Sequence, residues 1–213
     1  MKGHTMYKGK FITFEGPDGA GKTSVMQSVA DYFRKKNQYT IMMTREPGGN
    51  PIAEQIRNII LDVNHTAMDA RTEALLFAAA RRQHLVEKVL PALSEGQLVL
   101  CDRFVDSSLV YQGVARRLPV EQVWQINQFA IENYLPDLTL VLDVPEEVGL
   151  ARIYANRADE VNRLDRESVE FHHLVRQAFL DLAAKEERMI VIDATQPLEA
   201  VVAQCIQIIE SNL

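Results

Sequence analysis

The sequence predicts an α/β fold in which helices cover both faces of a five-stranded parallel β-sheet. Five short apolar runs alternate with longer segments of helical period, which is the pattern of repeated βα units. The 213 residues are 47% apolar, which is enough to build one sizeable core. No low-complexity stretch or linker divides the sequence, so we expect a single domain over residues 1–213.

The predicted elements follow one another regularly along the chain. The strands are the apolar runs 11–14, 39–43, 98–101, 138–142 and 189–192. The helices are the periodic segments 22–36, 52–61, 69–94, 120–133, 146–156, 168–187 and 197–211. Because ligands of such sheets collect at the carboxyl ends of the strands, the polar motifs that follow the strands are the candidate site.

The segment after the first strand is a phosphate-binding loop, which predicts a P-loop NTPase fold. It fits the pattern G-x-x-x-x-G-K-[ST] between a strand and a helix, with Gly16, Pro17, Asp18, Gly19, Ala20, Gly21, Lys22 and Thr23. The glycines let backbone N–H groups converge on phosphate oxygens, while Lys22 adds positive charge and Thr23 a hydroxyl for Mg²⁺. The alternative is a glycine-rich turn in which Lys22 is only a solvated helix lysine.

Polar residues also follow other strands. Asp102 ends the third strand, where P-loop enzymes commonly hold Mg²⁺, although it could instead cap the next helix. Arg103 follows it, and a guanidinium is suited to donating two parallel hydrogen bonds to a phosphate. The alternative is that Arg103 forms a surface salt bridge to Glu15 or Asp106. Gln196 follows the fifth strand, so we expect it in the same cleft.

Two further segments supply candidate ligand contacts. Phe77 and Arg81 lie four residues apart on one helix face, which suits stacking on a flat base with a hydrogen bond to its edge. Taken alone, that pair is more simply a core phenylalanine and a surface arginine. The arginine-rich segment at about 156–167 predicts a mobile lid over a transferred phosphoryl group, or otherwise a solvated loop.

Composition excludes several classes of function. The net charge of −6 argues against a broad nucleic-acid surface, and no apolar run is long enough to span a membrane. We therefore expect a soluble, cytoplasmic protein that does not bind nucleic acid or membrane. Cys101 and Cys205 are predicted to be reduced core thiols, and His172 and His173 to be exposed helix residues.

Taken together, five segments resemble the bacterial thymidylate kinases over nearly the whole chain. They are residues 16–23, 44–49, 77–81, 102–113 and 163–166. The string from Asp102 to Gly113 and the Arg-Glu-Pro-Gly-Gly motif after the second strand distinguish this family from adenylate and guanylate kinases. The resemblance implies transfer of a phosphoryl group from ATP to dTMP in dTTP biosynthesis, with an Mg²⁺ cofactor and a homodimeric assembly.

The resemblance also implies roles for individual residues. Phe77 would stack on thymine, Arg81 and Gln112 would bind its edge, Ser108 would lie beside it, and Tyr111 would crowd a ribose 2′-hydroxyl. For the remaining groups, the implied roles are Asp18 at the sugar 3′-hydroxyl, Arg57 and Arg103 on the monophosphate, Lys22 across the phosphates, and Gln196 with the loop on ATP.

Two departures from the family pattern change what we expect. Phe104 stands where tyrosine is common, so only packing is assigned to it. Gly19 stands where one subgroup has an arginine, so the catalytic cation is expected from the lid residues Arg157, Arg163 or Arg166.

A kinase of a monophosphate needs no catalytic base. The second pKa of a monophosphate is about 6, so its attacking oxygen is already largely ionised at neutral pH. A deoxynucleoside kinase is the second enzyme hypothesis, and it would need a carboxylate base to activate a neutral 5′-hydroxyl. A nucleotide-binding regulatory or scaffold protein without transfer activity is the alternative from another class.

Overall fold

A computed structural model describes residues 8–156 and 162–213. In these residues one sheet of five parallel strands forms the centre of the molecule, in the order β2-β3-β1-β4-β5. The strands are β1 (Lys10–Glu15), β2 (Ile41–Arg45), β3 (Leu98–Asp102), β4 (Leu138–Asp143) and β5 (Met189–Asp193). The predicted α/β fold with a five-stranded parallel sheet is therefore confirmed.

The helices lie where the sequence predicts them, with one addition. They are α1 (Lys22–Lys36), α2 (Pro51–Leu61), α3 (Ala70–His84), α4 (Leu90–Ser94), α5 (Val105–Ser108), α6 (Val120–Ile131), α7 (Glu146–Asn156), α8 (Val169–Ala183) and α9 (Leu198–Asn212). A π-helical turn, Leu85–Val89, joins α3 to α4, and a second one, Leu109–Ala115, continues α5. The sequence analysis did not predict the helical segment formed by α5 and its π-helical continuation.

The two faces of the sheet bury separate hydrophobic cores. Successive side chains of a strand point to opposite faces, so Ile12 of β1 packs in the core formed with α1 and α9. Phe11 packs in the core formed with α3, α4 and α6, where its ring meets Phe104 edge-on at 5.0 Å. Helices on both faces leave the carboxyl edge of the strands as the open end of the sheet.

Some local expectations are met and one is wrong. Cys101 and Cys205 are both buried and unpaired, as predicted. His173 is exposed, but His172 is buried at 3% relative exposure, because α8 turns that position toward the protein interior. Among the described helices, none is long and apolar enough to cross a membrane.

Candidate active site

The central position of β1 creates the candidate site. The phosphate loop follows β1 and Asp102 ends β3, and these neighbouring parallel strands end at the same edge of the sheet. A cleft of about 650 Å³ opens there, within the range of small-molecule sites. Of the predicted site residues, those that line it are Asp18, Gly19, Ala20, Gly21, Lys22, Thr23, Arg57, Phe77, Arg81, Asp102, Arg103, Ser108, Tyr111, Gln112 and Gln196.

The phosphate loop is held by its own lysine. The Lys22 ammonium donates to the backbone oxygens of Gly16 at 3.1 Å and Pro17 at 2.8 Å. Burial lowers the pKa of Lys22 to about 8, because a charged ammonium is costly away from water. The solvated-lysine alternative is therefore wrong for this loop.

The start of α1 is suited to an anion. Gly21 occupies the N-cap position without a side-chain cap, and the first turn of the helix carries no acidic residue. The free N–H groups and the positive end of the helix dipole therefore point into the cleft.

Two oxygen-bearing side chains meet in the cleft, Thr23 at the start of α1 and Asp102 at the end of β3. The Thr23 hydroxyl donates to Asp102 Oδ2 at 2.8 Å. Neither sits in a group of three or more His, Cys, Asp or Glu residues, and no such group occurs among the described residues. A hydroxyl and one carboxylate match Mg²⁺, which takes few protein ligands and completes its shell with water and phosphate oxygens.

Gly19 has no room for a side chain. Its φ of +77° lies in the left-handed region, and a Cβ atom there would be 2.1 Å from the Gly149 backbone oxygen of α7. An arginine at position 19 would therefore require α7 to move. This steric limit supports the expectation that a catalytic cation comes from elsewhere in the chain.

Arg103 lines the cleft and contacts the phosphate loop. Its guanidinium donates to Asp18 Oδ1 at 2.6 Å, to the Gly16 oxygen at 3.1 Å, and to the hydroxyls of Ser107 and Tyr111. The salt bridge predicted as the alternative was to Glu15 or Asp106, whereas the observed partner is Asp18. Arg103 also has a positive φ of 69°, which is uncommon for a residue with a side chain.

Asp18 and Tyr111 complete this cluster. The Tyr111 hydroxyl donates to Asp18 Oδ2 at 2.7 Å. Burial opposes ionisation of Asp18, but the charges of Arg103 and Lys22 outweigh it and hold the pKa of this carboxyl well below its usual range. Asp18 is therefore a poor proton acceptor.

Glu15 does not line the cleft, but it holds Ser107, which does, and no sequence pattern assigned it a role in the site. Its carboxylate accepts from the Phe104 N–H at 2.7 Å, and from the Ser107 N–H at 3.3 Å and hydroxyl at 2.6 Å. Burial, helped by the nearby charge of Asp106, raises the pKa of Glu15 to about 7. The signal available in the sequence was a single acid between an apolar strand and the phosphate loop.

The far end of the cleft has a buried arginine. Arg81 is 1% exposed, and its guanidinium donates to Glu46 at 2.7 Å, Ser108 at 2.9 Å and the Phe104 oxygen at 3.0 Å, as well as to Asn127. The surface-arginine alternative is therefore wrong. The half-buried Phe77 lies one helical turn earlier and lines the same end of the cleft.

Gln112 reaches the cleft from the π-helical turn after α5. Its Nε2 atom donates to Glu73 Oε1 at 2.9 Å. Glu73 is a second residue that the sequence analysis missed, and it also accepts from Arg116 and Arg163.

Of the predicted lid arginines, the two that the structure describes do not line the cleft. Arg163 donates to the Ile60 oxygen at 2.9 Å and to Glu73, and it does not line the cleft. Arg166 is exposed, and Arg157 lies outside the described residues. Arg152, in the last turns of α7, does line the cleft and donates to the Ala194 oxygen at 3.2 Å.

A phosphate loop, a hydroxyl–carboxylate pair and an arginine-lined acceptor end define a P-loop phosphotransferase. The sequence model of the family described as thymidylate kinase matches residues 14–205. A thymidylate kinase of Latilactobacillus sakei is 61% identical over 207 residues, covering 96% of this chain and 97% of that protein. One from Ligilactobacillus salivarius is 60% identical over 205 residues, covering 96% and 99%.

The crystal structure of thymidylate kinase from Ehrlichia chaffeensis has a TM-score of 0.75 and 31% identity, covering 95% of this chain and 98% of that one. The chain therefore belongs to the thymidylate kinase family, whose members phosphorylate dTMP with ATP. This confirms the predicted enzyme class, the P-loop NTPase fold and the reaction.

Proposed function

We propose that the cleft binds ATP along the phosphate loop and dTMP at the Phe77 end, and that the γ-phosphoryl group passes directly between them in line. The observation that carries this proposal is one continuous cleft that is lined by the phosphate loop, by Phe77 and by Arg103, which donates to the Gly16 oxygen of that loop. The product, dTDP, would supply dTTP biosynthesis.

The electrostatics of Asp18 argue against this carboxylate as the base of a nucleoside kinase. A nucleoside kinase needs a carboxylate that takes a proton from a neutral hydroxyl. The lowered pKa of Asp18 makes it unsuited to that task. In our proposal Asp18 instead contacts the sugar 3′-hydroxyl and orients Arg103, and the already ionised phosphate attacks without a base.

Cationic residues perform most of the chemistry that the protein contributes. Lys22 would bridge the phosphates of ATP, while Arg57 and Arg103 would hold the acceptor monophosphate. Fixed positive charge at the transferred group stabilises the transition state. We assign the remaining catalytic cation to the lid arginines Arg157, Arg163 or Arg166.

Mg²⁺ is the proposed cofactor, and the donor set of the site fits it. Thr23 and Asp102 would hold the ion or its waters. When bound, the ion neutralises phosphate charge in this class of reaction.

The base end would select a thymine deoxynucleotide. Phe77 would stack on the base, with Arg81 and Gln112 at its edge and Ser108 beside it. Tyr111, held by Asp18, would leave no space for a ribose 2′-hydroxyl.

We further propose that residues 1–213 act as one cytoplasmic domain that needs no nucleic acid or membrane.

An acceptor panel tests the function directly. ADP release is followed with ATP, Mg²⁺ and each of the monophosphates of thymidine, uridine, cytidine, adenosine and guanosine, with thymidine itself as a further acceptor. We expect dTMP to be the preferred acceptor. Turnover of thymidine but not dTMP would favour the nucleoside kinase, and ATP binding without any turnover would favour the regulatory protein.

Arg103→Ala is the sharpest test of the acceptor site. Loss of the guanidinium should lower kcat/KM for dTMP at least about tenfold, equivalent to ~1.4 kcal/mol, with little change in the KM for ATP. Arg34→Ala removes an exposed arginine of α1 and is the matched control. Normal dTMP kinetics in the Arg103 variant would remove this residue from the acceptor site.

We also propose that two copies of the chain pair through α2, α3 and α6. These helices pack side by side and expose Ile59 at 45%, Leu75 at 55% and Phe129 at 88%. A large exposed aromatic beside other apolar residues is typical of an interface.

Phe129→Glu should convert the dimer into a monomer, because two charges would be buried against each other. Light scattering after size exclusion measures this, with Leu213→Glu at the exposed carboxyl terminus as the control. A dimer that survives Phe129→Glu unchanged would place the interface elsewhere.

A further inference from the structure

Glu73 is a buried acid whose contacts connect three parts of the molecule. It lies on α3 with 1% exposure and does not line the cleft. Its Oε1 atom accepts from Gln112 at 2.9 Å and from Arg116 at 3.3 Å, and its Oε2 atom accepts from Arg116 and Arg163. No role in the phosphoryl transfer itself requires an acid at this place.

The chemistry of a carboxylate decides how the Gln112 amide is oriented. An ionised carboxylate only accepts hydrogen bonds, so Gln112 must turn its NH₂ group toward Glu73. Gln112 lines the cleft, and among the described residues no donor reaches its Oε1 atom. The amide therefore offers an acceptor to the cleft.

A fixed donor lines the same cleft, because Arg81 contacts Ser108, which lies four residues before Gln112 in one helical segment. The contacts of Arg81 with Glu46, Ser108, Asn127 and Phe104 occupy four of the five N–H groups of its guanidinium and hold the group still. A donor next to an acceptor complements thymine, which offers O4 as an acceptor and N3–H as a donor. Cytosine has the opposite arrangement, with an amino donor and an N3 acceptor.

We propose that Glu73 is the positioning residue that sets base specificity, by holding the Gln112 amide in the orientation that accepts from thymine and rejects cytosine. This proposal rests on the proposed function, since it needs the base at the Gln112 end of the cleft. The two guanidinium groups of Arg116 and Arg163 keep Glu73 ionised. Together with the Gln112 hydrogen bond they outweigh burial and lower the pKa of Glu73.

Replacing Glu73 by its amide should reverse the orientation of Gln112. In Glu73→Gln, the new carbonyl oxygen is favoured in the place of Oε2, which accepts from both Arg116 and Arg163, whereas Oε1 accepts from Arg116 and Gln112. The new NH₂ group then faces Gln112, which must present its own oxygen to it. Gln112 consequently turns its NH₂ group into the cleft, opposite the N3–H of thymine.

The test compares dTMP and dCMP as acceptors for the wild type and Glu73→Gln. We expect the ratio of kcat/KM for dTMP over dCMP to fall at least about tenfold, mainly through a higher KM for dTMP, because the Arg81 donor still opposes the amino group of cytosine. The matched control is Glu87→Gln, an exposed acid that accepts from Gln83 in the same way at 3.0 Å. It should leave both acceptors unchanged.

An equal loss of activity toward both nucleotides in Glu73→Gln would overturn the proposal, because a merely structural role acts on both. A wild type that does not use dTMP would instead disprove the proposed function.

A second measurement uses the unmodified protein, in case the variant does not fold. The ¹⁵N side-chain signal of Gln112 should shift little when dTMP binds, because its NH₂ group stays on Glu73. A large shift of this Gln112 NH₂ signal when dTMP binds would mean that the NH₂ group faces the base. That result would overturn the proposal.

Discussion

At the scale of single residues, the site works through charges that are already arranged before a nucleotide binds. Lys22 donates hydrogen bonds to the loop oxygens of Gly16 and Pro17. These bonds hold its ammonium group next to the backbone N–H donors that would bind phosphate. Burial disfavours the charged form of the ammonium and lowers the pKa of Lys22 to about 8. A bound polyphosphate would favour the charged form and raise that pKa again.

This difference predicts proton uptake when ATP binds. Near pH ~8.5 more than half of the free Lys22 side chains are neutral, so binding should take up on the order of half a proton or more per ATP, and affinity should weaken as pH rises above 8. Calorimetry in two buffers of different ionisation heat measures the uptake.

Lys22→Arg is the control for this experiment, because its guanidinium stays protonated and should bind ATP without proton uptake. No uptake in the wild type would show that Lys22 is charged before ATP arrives.

The sequence identifies residues that lie inside a contiguous motif and misses those that act across the chain. Lys22 and Thr23 belong to a spacing that only a phosphate loop requires. Glu15 and Glu73 have no such spacing, because their partners lie 92 and 39 residues further along the chain. Their roles depend on which elements pack together, and a single sequence does not give that pairing.

At the scale of elements, the start of helix α2 is fixed by a capping side chain. Helix α2 carries Arg57, and its N-cap Asn50 accepts from the Ala53 N–H at 2.8 Å, followed by Pro51 at the first helical position. Both are strong signals for a helix start, which is why the predicted and observed starts differ by one residue.

Asn50→Ala should destabilise the protein by about 1 kcal/mol, because it leaves a helix N–H without an acceptor. Urea unfolding measures the loss. Asn50→Asp is the matched control, since it keeps the oxygen acceptor and removes an amide nitrogen that has no partner. Equal stability of the alanine variant and the wild type would show that water replaces the cap.

The segment 105–115 shows why one helical element was not predicted. It is short, it changes from α-helical to π-helical hydrogen bonding at Leu109, and it carries Ser108, Tyr111 and Gln112 into the cleft. A π-helical turn shifts the apolar repeat away from 3.6 residues, so a periodicity search does not detect it.

At the scale of the whole molecule, Glu15 couples stability to pH. It ends the central strand and joins β1 to the start of α5 through Phe104 and Ser107. Its folded pKa of about 7 is above its ordinary value of 4.5. The folded state therefore binds more protons than the unfolded chain between these values, and stability from this group falls as pH rises through that window.

Glu15→Gln should remove this contribution. The unfolding free energy of the wild type should fall relative to that of the variant between pH ~5 and ~7, by up to about 1.4 kcal/mol per pH unit, and the difference should level off above pH ~7. Thermal unfolding across this range measures it, with the exposed Glu121→Gln as the control. Parallel profiles for the wild type and Glu15→Gln would contradict the raised pKa.

The contact between Gly19 and Gly149 has an evolutionary consequence. The resemblance seen in the sequence implies that one subgroup of the family carries an arginine in the phosphate loop, and we propose that the lid supplies the cation here. In this chain an arginine at position 19 would overlap the backbone of α7, so a single substitution cannot change one arrangement into the other. Moving the cation into the loop would therefore need changes around Gly149 together with Gly19→Arg.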